Sequence, residues 1–520
     1  MHRRSLAGSL AALNVVVLLG SVRPTAADWP PDGVSLCGVC YAPGGVLVAP
    51  DGAGGAFVVW PDAYSGNYDV YAQHVTAAGE IAPGWPAAGG HGLPVCVGPA
   101  PQLLNSIVSD GLGGVLIAWF DYRDVLEGTT GIDIYAQRIL ADGSIAPGWA
   151  VNGMPVTRAA GDQVRPVLLA DGSGGAFVSW TDKATLDIYL QRLTAAGVPA
   201  PGWPENGLPV CTDPNSQGNP QLASDRSGGV LVIWGDLRDG QRATYAQRVL
   251  GDGSIAPAWP VNGARIALDR GGVALVPDDA GGAYLACNTI TAFFDDDYYL
   301  QRLTGAGTIA AGWPEGGVPV CLAPDERAGL EMVADGAGGA LLVWSDFRDG
   351  YPYYPDQIFV SRFAPDGSLH PGWPVDGQRV TEDIALNDFP DLAPDGMGGA
   401  YLCWTKYTNA TRDRVYVQRL TGEGTVAGGW PAGGRLIPTA GQASRPGIAA
   451  DGEGGAIVAW SHGDYDYTVR ALRFDADGPV PVQLSLVAAQ AESDRVRLEW
   501  FAEADPSFTA TVERRSQASD

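Results

Sequence analysis

Basic residues are scarce in this chain: 520 residues carry 32 Lys and Arg against 58 Asp and Glu, a formal net charge of −26. Nucleic-acid binding needs cations clustered against phosphate, so that class is excluded. Five histidines occur, one at position 2, and none are paired at a metal-binding spacing. No phosphate-binding glycine loop, nucleophile elbow or HExxH helix motif is present. The glycosidase Asp-box spacing S-x-D-x-G-x-x-W is missing too. Beyond the N-terminus no apolar run approaches the ~20 residues of a spanning helix, so membrane insertion is not expected. No segment sustains a 3.6-residue apolar period, so helices should be few.

What is abundant is glycine (72) and proline (39), alongside 46% hydrophobic residues. That combination describes a turn-rich folded chain and not a disordered one. The acidic excess suits a self-repelling soluble surface and leaves room for divalent cations. At the start, His2, Arg3 and Arg4 precede an apolar stretch from Leu6 to Gly20, and Thr25-Ala26-Ala27 supplies small residues for cleavage. Residues 1–27 therefore read as a signal peptide, and the mature chain is expected to be secreted or held at the cell surface.

An aspartate opens a recurring unit at Asp51, Asp110, Asp171, Asp225, Asp278, Asp335, Asp395 and Asp451. Successive spacings of 53 to 61 residues are too long for the common helical solenoids and fit four strands with generous loops. Strand A precedes the aspartate, as in Gln102 to Val108. A D-G-x-G-G turn follows, because Asp and Gly tolerate the backbone angles of a tight reversal. Strand B is a continuous apolar run such as Val115 to Trp119, which predicts burial on both faces. Strand C is D-I-Y-A-Q-R-L or a variant of it, as at Asp133 to Ile139. A G-x-I-A-P-G-W-P connection then leads to a short strand D such as Leu208 to Cys211. Tryptophan tests the register: eight sit in the connection (Trp29, Trp85, Trp149, Trp203, Trp259, Trp313, Trp373, Trp430). Seven end strand B (Trp60, Trp119, Trp180, Trp234, Trp344, Trp404, Trp460), Cys287 takes that slot in the fifth unit, and Trp500 falls outside the array.

Four-stranded units that bury both faces are satisfied by radial stacking, so the expected fold class is all-β, an eight-bladed β-propeller over residues 28–478. A linear solenoid fits the ends less well. The array begins with an orphan strand D at residues 33–37 and finishes on a strand C at 468–474; pairing the two would close the ring and cover the open edge.

The motifs D-G-x-G-G-(A/V)-x-x-x-W, D-I-Y-A-Q-R-L and G-W-P-x-x-G resemble the repeats of large secreted bacterial propeller proteins, generally of unassigned function. The resemblance spans about residues 29–478 and implies export and a propeller; it supplies no catalytic residues. From 479 to 520 the repeat stops. Val482 to Val487, Val496 to Trp500 and Thr509 to Arg514 alternate like the first strands of a fibronectin type III-like module, a partial β-sandwich. Half such a module implies a chain that continues past Asp520, with the propeller a monomeric part of something larger.

Seven cysteines occur. Cys37, Cys96, Cys211 and Cys321 share the end of strand D, Cys287 and Cys403 lie in strand B, and Cys40 stands alone. Cys37-Gly-Val-Cys40 has the spacing of a redox or metal motif, but a second CxxC is absent. Buried small cysteines or an occasional disulfide are the expectation, and no metal ligand is assigned.

Function is sought on the face that varies. The A–B turn and the C–D connection repeat closely, whereas the B–C and D–A loops differ from unit to unit, and variable loops on a rigid scaffold carry function. The B–C loops are acidic and aromatic, which suits stacking on sugar rings or holding cations. The pairs Asp121/Arg123, Asp236/Arg238 and Asp346/Arg348 fit a structural corner instead. The candidate ligand-binding residues are Phe293, Phe294, Asp295, Asp296, Asp297, Tyr298, Tyr351, Tyr353, Tyr354 and Tyr465. Calcium is the one cofactor the Asp295-Asp296-Asp297 run suggests, although it lacks the D-x-D-x-D-G ladder. The strand-C arginines Arg138, Arg192, Arg248, Arg302 and Arg419 fill one repeating slot and read as structure, unlike the converging arginines of a sialidase. No catalytic residue is assigned. The leading expectation is a non-enzymatic binding or scaffold module for extracellular glycan or protein; the alternative is a carbohydrate-active enzyme using loop carboxylates.

Overall fold

A computed structural model of the protein describes residues 29–41, 45–268, 270–289, 297–324, 327–348, 356–382, 385–408, 412–439, 442–463, 467–475, 485–491 and 496–501. The segment 1–27 lies outside them.

The local chemistry of the turn sets the first hairpin of every blade. Asp110 Oδ1 accepts the N–H groups of Leu112 (2.7 Å) and Gly114 (2.8 Å), which folds D-G-x-G-G back on itself. Gly111 and Gly113 have φ of +75° and +88°, in the left-handed region that a side chain disfavours. The second oxygen of Asp110 takes the Arg138 guanidinium at 2.6 Å, tying the turn to strand C. Arg192–Asp171, Arg248–Asp225, Arg302–Asp278, Arg362–Asp335, Arg419–Asp395 and Arg473–Asp451 repeat the pair, and His74–Asp51 replaces it in blade 1. The arginine slot is thus structural.

These hairpins extend into eight antiparallel sheets of four strands. Blade 1 runs Leu47–Pro50, Ala56–Asp62, Asp69–Val75 and Leu93–Cys96 in spatial order. Blades 2 to 7 keep the A-B-C-D order. Blade 8 takes strands A to C from Ala443–Ala450, Ala456–His462 and Tyr467–Phe474, and its fourth strand from Val34–Cys40 at the other end of the chain. There Val34 pairs with Ala471 and Cys37 with Val469. Strand A of each blade packs on strand A of the next, through blade 8 and back to blade 1. The sheets therefore stand radially about a central channel with strand A innermost: an all-β, eight-bladed propeller. Among the described residues one helix occurs, the five-residue Arg123–Glu127 in the B–C loop of blade 2.

The core lies between blades. Strand B is buried along almost its whole length in every blade, and the strand-B tryptophans are the largest fully buried side chains. Each of the seven abuts a glycine at the start of strand D. At Gly153 (φ +88°) an added Cβ would stand 2.5 Å from the Trp119 ring, which accounts for the glycine of G-W-P-x-x-G. The connection tryptophans tie blade to blade: Trp149 Nε1 and Arg138 Nη1 both donate to Ala195 O of blade 3, and Trp203 with Arg192 repeats this on Gly251 O.

After the propeller, Ser485–Ala491 and Val496–Phe501 form an antiparallel hairpin. The stretch 509–514 lies outside the described residues. No helix among the described residues is long and apolar enough to cross a membrane.

Candidate functional site

Strand direction separates two ends of the propeller. A–B turns and C–D connections occupy one end, B–C and D–A loops the other. On the loop end the acidic corners come first. Strand B of blade 2 finishes at Asp121, whose buried Oδ2 accepts Trp119 Nε1 at 2.8 Å and Arg123 Nη2 at 2.6 Å. The same guanidinium donates to Cys96 Sγ (3.1 Å) and Asn152 O (2.8 Å), and lies 4.0 Å above the Tyr135 ring. Blade 4 repeats the arrangement with Asp236, Arg238, Trp234, Cys211 and Tyr245, and blade 6 with Asp346, Arg348, Trp344, Cys321 and Phe359. These carboxylates are fully engaged by their own framework. Burial pushes the Cys96 thiol up to about 12 and Cys211 up to about 11, so both are neutral packing groups and not nucleophiles.

Of the ten residues singled out from the sequence, Phe293, Phe294, Asp295, Asp296, Tyr351, Tyr353, Tyr354 and Tyr465 lie outside the described residues, and with them the suggested calcium run. Asp297 is half-buried, and its carboxylate stands 3.8 Å from Arg327 of blade 6. Tyr298 begins strand C of blade 5 and points inward: it is 3% exposed and meets Trp344 edge-on at 6.2 Å. It belongs to the core, because strand alternation turns it away from the loop surface.

The structure brings forward other residues. Tyr41, Tyr64, Tyr68 and Phe389 are the exposed aromatics among the described residues, at 37% to 56% exposure. All four lie at the loop end: Tyr41 after the fourth strand of blade 8, Tyr64 and Tyr68 in the B–C loop of blade 1, and Phe389 near the start of strand A in blade 7. Phe389 sits on a bulge in the innermost strand, at φ +53°, beside Arg445 of blade 8, whose guanidinium is 5.4 Å from its ring. Equivalent bulges carry Arg165 and Asn219, which hydrogen-bond to each other across the inner rim of blades 3 and 4. The signal in the sequence was the proline that follows four of these residues: Pro166, Pro220, Pro390 and Pro446.

Just past the bulges, one register position per blade forms a ring: Leu47, Ser106, Val167, Gln221, Ala274, Glu331, Asp391 and Gly447. A cavity of about 210 Å³ opens there, lined by Leu47, Asn105, Ser106, Asp391 and Gly447 among others. Ser106 Oγ accepts the N–H of Leu168, and Asp391 accepts those of Leu392 and Ile448, so ring side chains cap the free edge of the next inner strand. Glu331 is exposed on the wall of the channel, yet the inner strands stand close around its carboxyl. Burial, then the Asp391 charge, pushes its carboxyl up to about 7. Burial likewise pushes Asp391 up to about 6, against its two backbone donors. Two carboxyl groups on adjacent blades therefore hold their protons more tightly than free carboxyls do.

No family model and no curated protein matches the chain. Solved structures do. The chain is similar to the β-propeller domain of the Trilobed protease from Pyrococcus furiosus, at 9% identity over 72% of this chain and 95% of that one, with a TM-score of 0.40. It is similar to polysaccharide lyase Uly1 (11% identity, 68% and 91% covered, TM-score 0.35) and to the Hadza microbial sialidase Hz136 (15%, 66% and 73%, TM-score 0.33). Likeness at this level does not reach the chemistry of a site.

Proposed function

We propose that the protein is an exported binding module whose loop end, around the channel mouth, docks extracellular glycan or protein. One observation carries this reading: every exposed aromatic among the described residues lies on that end. Rings held out by a rigid scaffold offer apolar faces for sugar stacking at little ordering cost. Sequence composition extends the surface, since Phe293, Phe294, Tyr351, Tyr353, Tyr354 and Tyr465 fall in B–C connections. Export rests on the N-terminal segment.

A second reading, a carbohydrate-active enzyme, is favoured by the raised carboxyls of Glu331 and Asp391, because a group that titrates near neutrality suits general acid–base work. One preparation separates the two on a glycan array and a polysaccharide hydrolysis and lyase screen. Binding without turnover, weakened about tenfold or more by Tyr64→Ala with Tyr68→Ala, supports the module, since aromatic anchors often carry over ~1 kcal/mol each. Turnover abolished by Glu331→Gln or Asp391→Asn makes it an enzyme. Binding that none of Tyr41→Ala, Tyr64→Ala, Tyr68→Ala or Phe389→Ala alters would remove the loop end from consideration.

A further inference from the structure

Four blade junctions set a cysteine at the end of one strand D against the aspartate that ends strand B of the next blade. Three of them, Cys96/Asp121, Cys211/Asp236 and Cys321/Asp346, hold an arginine guanidinium between sulfur and carboxylate. The fourth lies at the seam, where Cys37 of the N-terminal strand faces Asp62 of blade 1. Here Tyr64 stands in the arginine position. Its N–H still makes the corner, donating to Asp62 Oδ1 at 2.8 Å, but no guanidinium reaches Oδ2. The Asp62 side chain is 0% exposed, and its Oδ2 has no hydrogen-bond partner. Trp60 Nε1, whose counterparts donate to this oxygen at the other three junctions, has none either.

What surrounds Asp62 Oδ2 instead is a set of soft and borderline ligand atoms. Cys37 Sγ, Cys40 Sγ and a carboxylate oxygen of Asp62 all lie within 4.8 Å of one another, and all three residues are buried. His91 Nδ1 stands 4.0 Å from Asp62 Oδ2 and is itself buried without a hydrogen-bond partner. The backbone brings these together. Gly38 donates to Gly90 O at 2.9 Å, and an added Cβ at Gly38 would fall 2.3 Å from Gly89 O. Glycine at the second position of the C-x-x-C therefore lets the N-terminal strand press against the connection that carries His91. The Tyr64 ring lies 4.1 Å from the imidazole, tilted 38° to it, and flanks it on one side.

We propose that Cys37, Cys40, Asp62 and His91 form a tetrahedral site for one zinc-class divalent cation. The cation takes the place of the missing arginine and clips the N-terminal strand to blade 1. Two sulfurs, an imidazole nitrogen and a carboxylate oxygen are a zinc donor set; bond lengths of about 2.0–2.3 Å would hold the ligand atoms roughly 3.3–3.8 Å apart, so the two sulfurs, bonded in the structure, would separate while Asp62 and His91 close in on them. Zinc displaces the two thiol protons of the newly made chain, so two protons leave and no electron moves. The structure joins Cys37 to Cys40 as a disulfide, the other fate of the same sulfurs, and the two states exclude each other.

The test uses the full chain, produced with zinc and with its thiols protected from oxidation during isolation. Metal analysis should find about one zinc per chain, and cobalt exchanged into the site should give thiolate charge-transfer and tetrahedral ligand-field bands. Cys37→Ser with Cys40→Ser should abolish both signals, and Asp62→Asn should weaken retention. Cys96→Ser should leave them intact. His91→Ala, at a partly exposed side chain, keeps the test open should a cysteine variant fail to fold; it should weaken zinc retention about 10-fold or more. Chelation should speed hydrogen exchange in residues 34–40 ahead of the rest of the ring. A chain that emerges zinc-free with Cys37 and Cys40 either free or disulfide-bonded overturns the proposal, as does zinc that survives loss of both cysteines.

Discussion

Single residues decide how closely blades approach. The strand-B tryptophan and the strand-D glycine were both visible as repeating letters, but their contact was not, because within a blade they stand far apart in the chain, as Trp119 and Gly153 do, and in blade 8 Trp460 and Gly33 come from opposite ends of it. Gly153→Ala forces a methyl into the Trp119 ring and a side chain into positive φ. It should cost about 1–3 kcal/mol or more in chemical denaturation. Gly172→Ala, with open space around its Cβ, separates backbone strain from ring contact. Charge at the channel makes a second case. Glu331 and Asp391 bind protons more tightly in the folded chain than in the unfolded one, so their unfavourable term is absent in acid. It grows as pH rises through the ordinary carboxyl range toward about 7 and about 6, then levels off. Glu331→Gln should therefore melt with the wild type at pH 4 and above it at pH 8, as scanning calorimetry would show. A variant less stable at pH 8 would mean that the ionised carboxylate has a stabilising partner. The pair was invisible in sequence because its members come from different blades and meet through inner-strand register alone.

At the scale of the element, the W-x-D-x-R corner was legible as structure from its recurrence, and its geometry explains why it recurs. Arg238 is the hub: it neutralises a fully buried carboxylate, covers a ring and ties strand B to the start of strand D. Arg238→Ala leaves Asp236 buried and unpaired, and should cost about 3–5 kcal/mol in urea unfolding. Arg238→Ala with Asp236→Asn should recover part of that loss, since the uncompensated charge goes with the carboxylate. The inner-strand bulges were not anticipated. A run such as Gln-Val-Arg-Pro-Val reads as a plain strand until Pro166 is taken as the mark of a bulge, and only the bulge turns Arg165, Asn219, Phe389 and Arg445 toward the channel rim. Strand periodicity places residues on faces, but an inserted residue re-aims its neighbours. The elements that build the scaffold were thus easier to read than those that decorate it.

For the whole molecule, repeat number followed from eight aspartates and two tryptophan slots, since repetition imposes one packing solution on every blade. Irregular loops share no such constraint, and for that reason the sequence named a loop end without naming its ligand. The seam shows what repetition cannot supply. Blade 8 is covalently continuous through three strands, and its fourth is held by non-covalent contacts: the Val34–Ala471 ladder, Gly33 against Trp460, Arg470 with Asp32, and Trp29 Nε1 donating to Ala77 O of blade 1. Removing residues 29–40 from the mature chain would bare the strand C edge at Tyr467–Phe474 and part the junction with blade 1. An open edge invites pairing with a second chain. The truncated protein should therefore self-associate in sedimentation velocity and melt well below the parent. Added in trans, a peptide of residues 29–41 should restore the monomer. A truncated chain that stays monomeric with unchanged melting would show that adjacent blades hold the ring closed without its eighth outer strand.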